Sequence, residues 1–264
     1  TSTNAFTGAV TLTTNDGDGT AANVTIDGGT TALVIAASTV DGDLTLTSGN
    51  VAGITDTGTL TIGGNLSATT DANAGVVTLD SLAVDGSIAL ATNSTGNATV
   101  SNDAGLIFAA STVGGTLSAT AVTGNVSDTG TQAITGAATY ITRAAGSNII
   151  LDDSANTYAA QVTFKADTGG NETFGNLTFV DTGGIKLDAD ADAAGDLFID
   201  GSTDGAVGGN LTLTSVTGNV TQGVALAVTG TTTVTTSADD ATITLGTSTN
   251  AFTGAVTLTT NDGD

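Results

Sequence analysis

Residues 42–51 read Gly-Asp-Leu-Thr-Leu-Thr-Ser-Gly-Asn-Val. Leu44 and Leu46 alternate with Thr45 and Thr47, which puts the aliphatics on one face of a strand and the hydroxyls on the other. The pattern recurs at a regular distance. Gly64-x-Leu66-x-Ala68 follows 22 residues later, and Gly86-x-Ile88-x-Leu90 a further 22. Gly115-x-Leu117-x-Ala119 and Gly136-x-Ala138-x-Tyr140 are 21 apart, as are Gly209-x-Leu211-x-Leu213 and Gly230-x-Thr232-x-Val234. Shorter alternating runs lie between them: Val10-Thr-Leu12, Val24-Thr-Ile26, Leu60-Thr-Ile62 and Val256-Thr-Leu258. Two or three short strands per 21–22 residues, broken by Gly, Asn and Asp, make one turn of a parallel β-solenoid. The expected fold is therefore all-β, a parallel β-helix with coils of about 22 residues. Gly-Asn dipeptides such as Gly64-Asn65 and Gly209-Asn210 precede the strands and suit sharp corners. The alternative is a tandem array of immunoglobulin-like β-sandwiches. Asp27-Gly28, Asp41-Gly42 and Asp85-Gly86 favour it, because Asp-Gly closes hairpins.

Longer repeats enclose the coils. Residues 1–18 and 247–264 are identical, an offset of 246. Residues 1–264 read as one continuous solenoid segment, a full period plus the opening stretch of the next, cut from a longer array. Sub-repeats begin near 42, 115 and 209, where GDLTLTSGNV, GTLSATAVTGNV and GNLTLTSVTGNV stand. LVIAASTV at 33–40 matches LIFAASTV at 106–113. The sub-repeats differ in length, which points to coils carrying inserted loops. At about 22 residues per coil the period holds about eleven coils, and at about 4.8 Å per coil it rises by roughly 50 Å.

Composition agrees with this geometry. Three Lys and Arg stand against 26 Asp and Glu, a net charge of -23, and Glu172 is the one glutamate. Helix formers other than Ala and Leu are scarce, while Val, Ile and Thr suit pleated surfaces. The apolar fraction of 39% is too high for a disordered acidic tail. Aromatics make up only 3%, so small aliphatics must fill a narrow core. Proline is absent, as expected where nearly every strand has a neighbour on both sides. Cysteine is absent too, which excludes disulfides and thiol chemistry. A strongly anionic surface without a basic patch excludes nucleic acid as a partner. With no apolar run long enough to span a bilayer, membrane insertion is not expected.

The motif Asn4-Ala-Phe6-x-Gly-x-Val10-x-Leu12, echoed at Asn156-x-Tyr158-x-x-x-Val162-x-Phe164, and the GNLTLTS-like runs resemble the repeats of filamentous-haemagglutinin-type proteins and other giant bacterial surface adhesins. The resemblance implies a right-handed β-helix, export to the cell surface and a stalk or adhesive role. It transfers no functional residue, because its signature is structural. The calcium-binding RTX nonapeptide is missing.

Histidine and cysteine are both absent, so the usual general bases and thiol nucleophiles are lacking, and no enzyme activity is expected. No cofactor is required. The sharpest candidate for a site is a calcium loop formed by Asp188, Asp190, Asp192 and Asp196, because alternating carboxylates in a turn converge on one hard cation. The loop departs from the EF-hand at Ala193 and Ile199. Asn15-Asp16-Gly17-Asp18-Gly19 is a weaker candidate. The bland reading of both is a solvated acidic loop. Asn-x-Ser/Thr sequons such as Asn65, Asn125 and Asn210 are explained by turn chemistry rather than glycan attachment. Thr-x-Thr runs such as Thr231–Thr236 suggest a threonine ladder, but in sequence they do not line up over many coils, so an exposed strand face is expected. The functional expectation is a spacer or cable in an extracellular filament or adhesin stalk. Its partners are further copies of itself and, in the alternative, surface glycans or another cell gripped by the inserted acidic loops.

Overall fold

The computed structural model describes residues 2–14, 21–167, 173–188, 196–200 and 205–263. Within them there is no helix, and every strand pairing is parallel. The chain is a β-solenoid of about ten turns. The Asp-Gly dipeptides sit at corners between stacked coils, and the sandwich alternative falls with the hairpins it needed.

Two sheets run the length of the solenoid. The front sheet has fourteen strands among the described residues, eleven of them stacked in one path from Val24–Asp27 through Leu44–Ser48, Leu66–Asn73 and Ile88–Asn93 to Leu211–Ser215, Thr232–Asp239 and Val256–Asn261. The back sheet stacks Leu33–Ile35, Ile54–Asp56, Val77–Val84, Ala98–Asn102, Leu117–Ala121, Ala138–Thr142, Val162–Ala166, Asp196–Asp200, Ile185–Leu187 and Val220–Gln222 in that spatial order. Asp196–Asp200 is therefore out of sequence order, threaded between Val162–Ala166 and Ile185–Leu187. A minor sheet of Ala206–Val207, Ala227–Val228 and Ala251–Phe252 closes the last turns.

The alternation read from residues 42–51 is what fills the core. Leu44, Leu46, Leu66, Ala68, Ile88 and Leu90 are all at most 1% exposed, and their threonine and serine neighbours face outward. Where the core widens, Phe108, Tyr140, Tyr158, Phe164 and Phe179 form one aromatic cluster across both sheets, with ring centroids 5.1–6.4 Å apart.

The glycine of each Gly-x-Leu-x-Leu motif sets how closely coils approach. Gly209 N–H donates to Gly175 O at 2.9 Å, and a Cβ on Gly209 would lie 2.4 Å from that same oxygen. Stacked corners leave no room there for a side chain.

The outward threonines do stack, contrary to their apparent lack of register in the sequence. Thr55, Thr78, Thr99, Ser118, Thr139 and Thr163 form one column, and Thr178, Thr212, Thr233 and Thr257 another. Unequal turns hide the alignment: Ala98 stacks on Leu117, whereas Leu177 must reach Leu211. Loops absorb the difference while the strands stay in register.

Candidate functional site

The acidic candidate lies mostly beyond what can be described. Asp190 and Asp192 fall outside the described residues, as do Asn15, Asp16, Gly17, Asp18 and Gly19. Asp196 opens the strand Asp196–Asp200. Asp188 ends a back-sheet run, where its carboxylate pairs with the Lys186 ammonium. Among the described residues no three carboxylates converge as a metal centre would require.

The base of that loop adjoins a cleft of about 390 Å3, lined by Tyr158, Asp181, Ile185, Lys186, Asn219 and Thr221 among others. Asp181 is 2% exposed, and its carboxylate accepts the backbone N–H of Tyr158 at 3.2 Å. Burial raises its pKa above the ordinary carboxylate value, against the lowering effect of backbone N–H donors from Gly183, Tyr158 and Thr182. A second buried group lies two coils away. Asp128 accepts Asn156 Nδ2 at 2.7 Å and the Asp152 N–H at 3.0 Å, while Asn156 Oδ1 accepts the Gln132 N–H at 2.7 Å. Burial again raises the carboxyl pKa. These hydrogen bonds hold backbone in place.

The need to satisfy backbone donors also explains the sequons. Asn65 Oδ1 accepts the Ser87 N–H at 2.9 Å, Asn125 the Asn148 N–H at 2.8 Å, Asn176 the Asn210 N–H at 2.9 Å and Asn210 the Thr231 N–H at 2.8 Å. Each of these four asparagines, set after a corner glycine, thus satisfies a backbone donor of the next coil. The sequence signalled these positions as turns; their ladder role depends on what stacks above.

The most specific arrangement goes beyond the sequence expectation. Away from the exchanges, a coil pairs a straight run, such as Leu44–Ser48, with a bent run, such as Leu33–Ile35 and Ser38–Val40 around Ala36-Ala37. Through the first coils the straight runs form the front and the bent runs the back. Then they exchange. The bent run 106–113 stacks on the straight Ile88–Asn93, and the straight Ala98–Asn102 stacks on Val77–Val84, which follows from the bent runs below it. Polar side chains close the crossing. Ser111 Oγ accepts the Leu90 N–H at 3.1 Å and donates to Ala109 O, and Asn102 bridges both backbone groups of Val84. A second exchange places straight Leu177–Asp181 on bent 149–158, and there Asp181 makes its bond to Tyr158. The buried carboxylate beside the cleft is thus a crossing residue.

One family model, Repeats of unknown function (DUF5649), matches residues 21–93, 95–165 and 166–259. The chain belongs to that family. No curated protein and no solved structure matches it. The family repeats coincide with the crossings. From Val24–Asp27, the first run of the first repeat, on the front, to Ala98–Asn102, the first run of the second, on the back, the chain makes three and a half turns. From Ala98–Asn102 to Leu177–Asp181, back on the front, it makes three and a half more. Each repeat starts on the face opposite its predecessor.

Proposed function

We propose that the chain is a load-bearing spacer segment of an extracellular filament or adhesin stalk, acting at the cell surface without turning over a substrate. The observation that carries this reading is the unbroken front ladder of eleven parallel strands over one continuous apolar core. With no linker between family repeats, a chain of such units makes a rod instead of a flexible string of beads. The charge of -23 keeps neighbouring rods apart at low ionic strength and lets them approach when salt screens it. The likeness of its motifs to giant bacterial surface adhesins supports the location outside the cell.

Two measurements test the proposal. Electron microscopy of recombinant chains with increasing numbers of periods should show rods lengthening by roughly 50 Å per period. Antibody labelling of intact source cells should reach the repeats without permeabilisation. Compact particles, or labelling only after permeabilisation, would refute it.

A second reading is favoured by the cleft at the base of segment 188–205: a binding module gripping a glycan or a partner cell. Replacing residues 189–195 with a glycine–serine linker separates the two. Adhesion lost with rods intact supports the module; rods and adhesion both unchanged leave the spacer alone.

A further inference from the structure

The stretch shared by 1–18 and 247–264 occurs twice in different company. In the later copy, Val256–Asn261 is a straight run stacked on straight Thr232–Asp239, with Thr232 opposite Val256 and Thr235 opposite Thr259. In the earlier copy, the same residues meet the bent run 33–40, with Val10 opposite Ile35 and Thr13 opposite Thr39. The two pairings use opposite edges of the strand. Ala255 O accepts the Thr232 N–H at 2.9 Å, on the lower edge. Val10, the equivalent of Val256, donates to Val34 O at 2.8 Å and accepts from Ala36 N–H at 2.8 Å, and Leu12 O accepts the Thr39 N–H at 2.9 Å, all on the upper edge. Successive residues of a parallel strand address alternate neighbours, so one strand can hold both sets at once.

The upper pairing is a crossing of the kind found within the chain. Ser38 Oγ accepts the Leu12 N–H at 3.0 Å as Ser111 accepts that of Leu90, and Thr14 Oγ1 accepts the Asp41 N–H at 2.9 Å as Thr92 accepts that of Gly114 at 3.0 Å. The shared LVIAASTV and LIFAASTV segments are the bent halves of these two crossings. Leu12 is covered by its crossing to 8% exposure, whereas Leu258, its equivalent, stands 50% exposed.

We infer that the open edge of Val256–Asn261 is an assembly surface for a further copy of this repeat. Its occupant is the segment equivalent to 33–40 of the following period, and each 246-residue period is a half-integral number of coils. The described residues hold three crossings per period, at 10–40, 77–113 and 149–187, an odd number. Front and back therefore exchange once per period, and consecutive periods sit half a turn apart about the axis. A group carried once per period then alternates between opposite flanks of the rod.

The test uses a two-period chain in which residues 19–264 are repeated in phase after residue 264. The sequence lacks cysteine, so introduced pairs are unambiguous. Thr259→Cys is combined with Thr39→Cys in the second copy only, and oxidised peptides are mapped by mass spectrometry. Ala91→Cys with Thr112→Cys, neighbours in the crossing already described, calibrates the yield. The expected result is a 259-to-second-copy-39 disulfide in yield comparable to that control. A disulfide formed instead with Asp27→Cys of the second copy, meaning straight run on straight run and a whole number of coils, would overturn the inference. So would failure of both pairs while the control forms.

Discussion

The Ser38 hydroxyl sits between two runs of different shape, accepting the Leu12 N–H at 3.0 Å from the straight run and donating to Ala36 O at 2.7 Å in its own bend. Ser111 stands in the same relation to Leu90 and Ala109. A bend pulls its backbone away from a straight neighbour and orphans one amide; a short hydroxyl replaces the missing carbonyl.

Ser111→Ala should therefore leave the Leu90 amide buried without a partner, at a cost of about 1–3 kcal/mol. Hydrogen exchange read at Leu90 checks it. Faster exchange there, with little change at Leu211, is the expected outcome, because stability in a stacked array is local.

Glycine position predicts a contrast between two identical sequences. A Cβ on Gly254 would lie 2.2 Å from Gly230 O, whereas one on Gly8 has nothing within 4 Å. Gly254→Ala should cost about 1–3 kcal/mol by forcing the coils apart. Gly8→Ala in the same chain should be nearly neutral. Denaturant unfolding of both variants provides the comparison.

The aromatic cluster should be the most sensitive part of the core. Tyr140 is fully buried, 5.9 Å from Phe108 and 6.0 Å from Phe164, and its hydroxyl lies 3.2 Å from that of Tyr158. Tyr140→Ala should cost about 3–5 kcal/mol through the cavity it leaves. Tyr140→Phe removes only the hydroxyl pair, a loss of about 1 kcal/mol. Thermal unfolding should rank the two in that order.

Mild acidification should stabilise the fold. Burial raises the carboxyl pKa of Asp128 and Asp181 in the folded chain above the unfolded value near 3.8. Between those values the folded state binds more protons than the unfolded state, so stability falls as pH rises through the folded pKa and is recovered as pH drops. Asp181→Asn keeps an oxygen for the Tyr158 N–H and should flatten this dependence. Asp85→Asn, at an exposed corner, changes net charge equally and serves as the control. Equal flattening by both would assign the effect to overall charge instead.

Whatever depends on one strand and its corner is legible in the residues themselves. Alternation at Leu44-Thr45-Leu46 decides which side chains enter the core, and the 21–22-residue spacing of Gly-x-Leu-x-Leu decides that the strands coil; both are local consequences of pleat geometry and glycine size. What stacks on what is settled by long-range register instead. The threonine columns, the asparagine ladder and the crossings at Ser38, Ser111 and Asp181 join residues far apart in the chain, through turns of unequal length. No local rule gives the sum of those turns. The match between 33–40 and 106–113 was visible as letters, but its meaning, a bent run laid over a straight one on opposite faces, exists only once hydrogen-bond register ties each coil to the next.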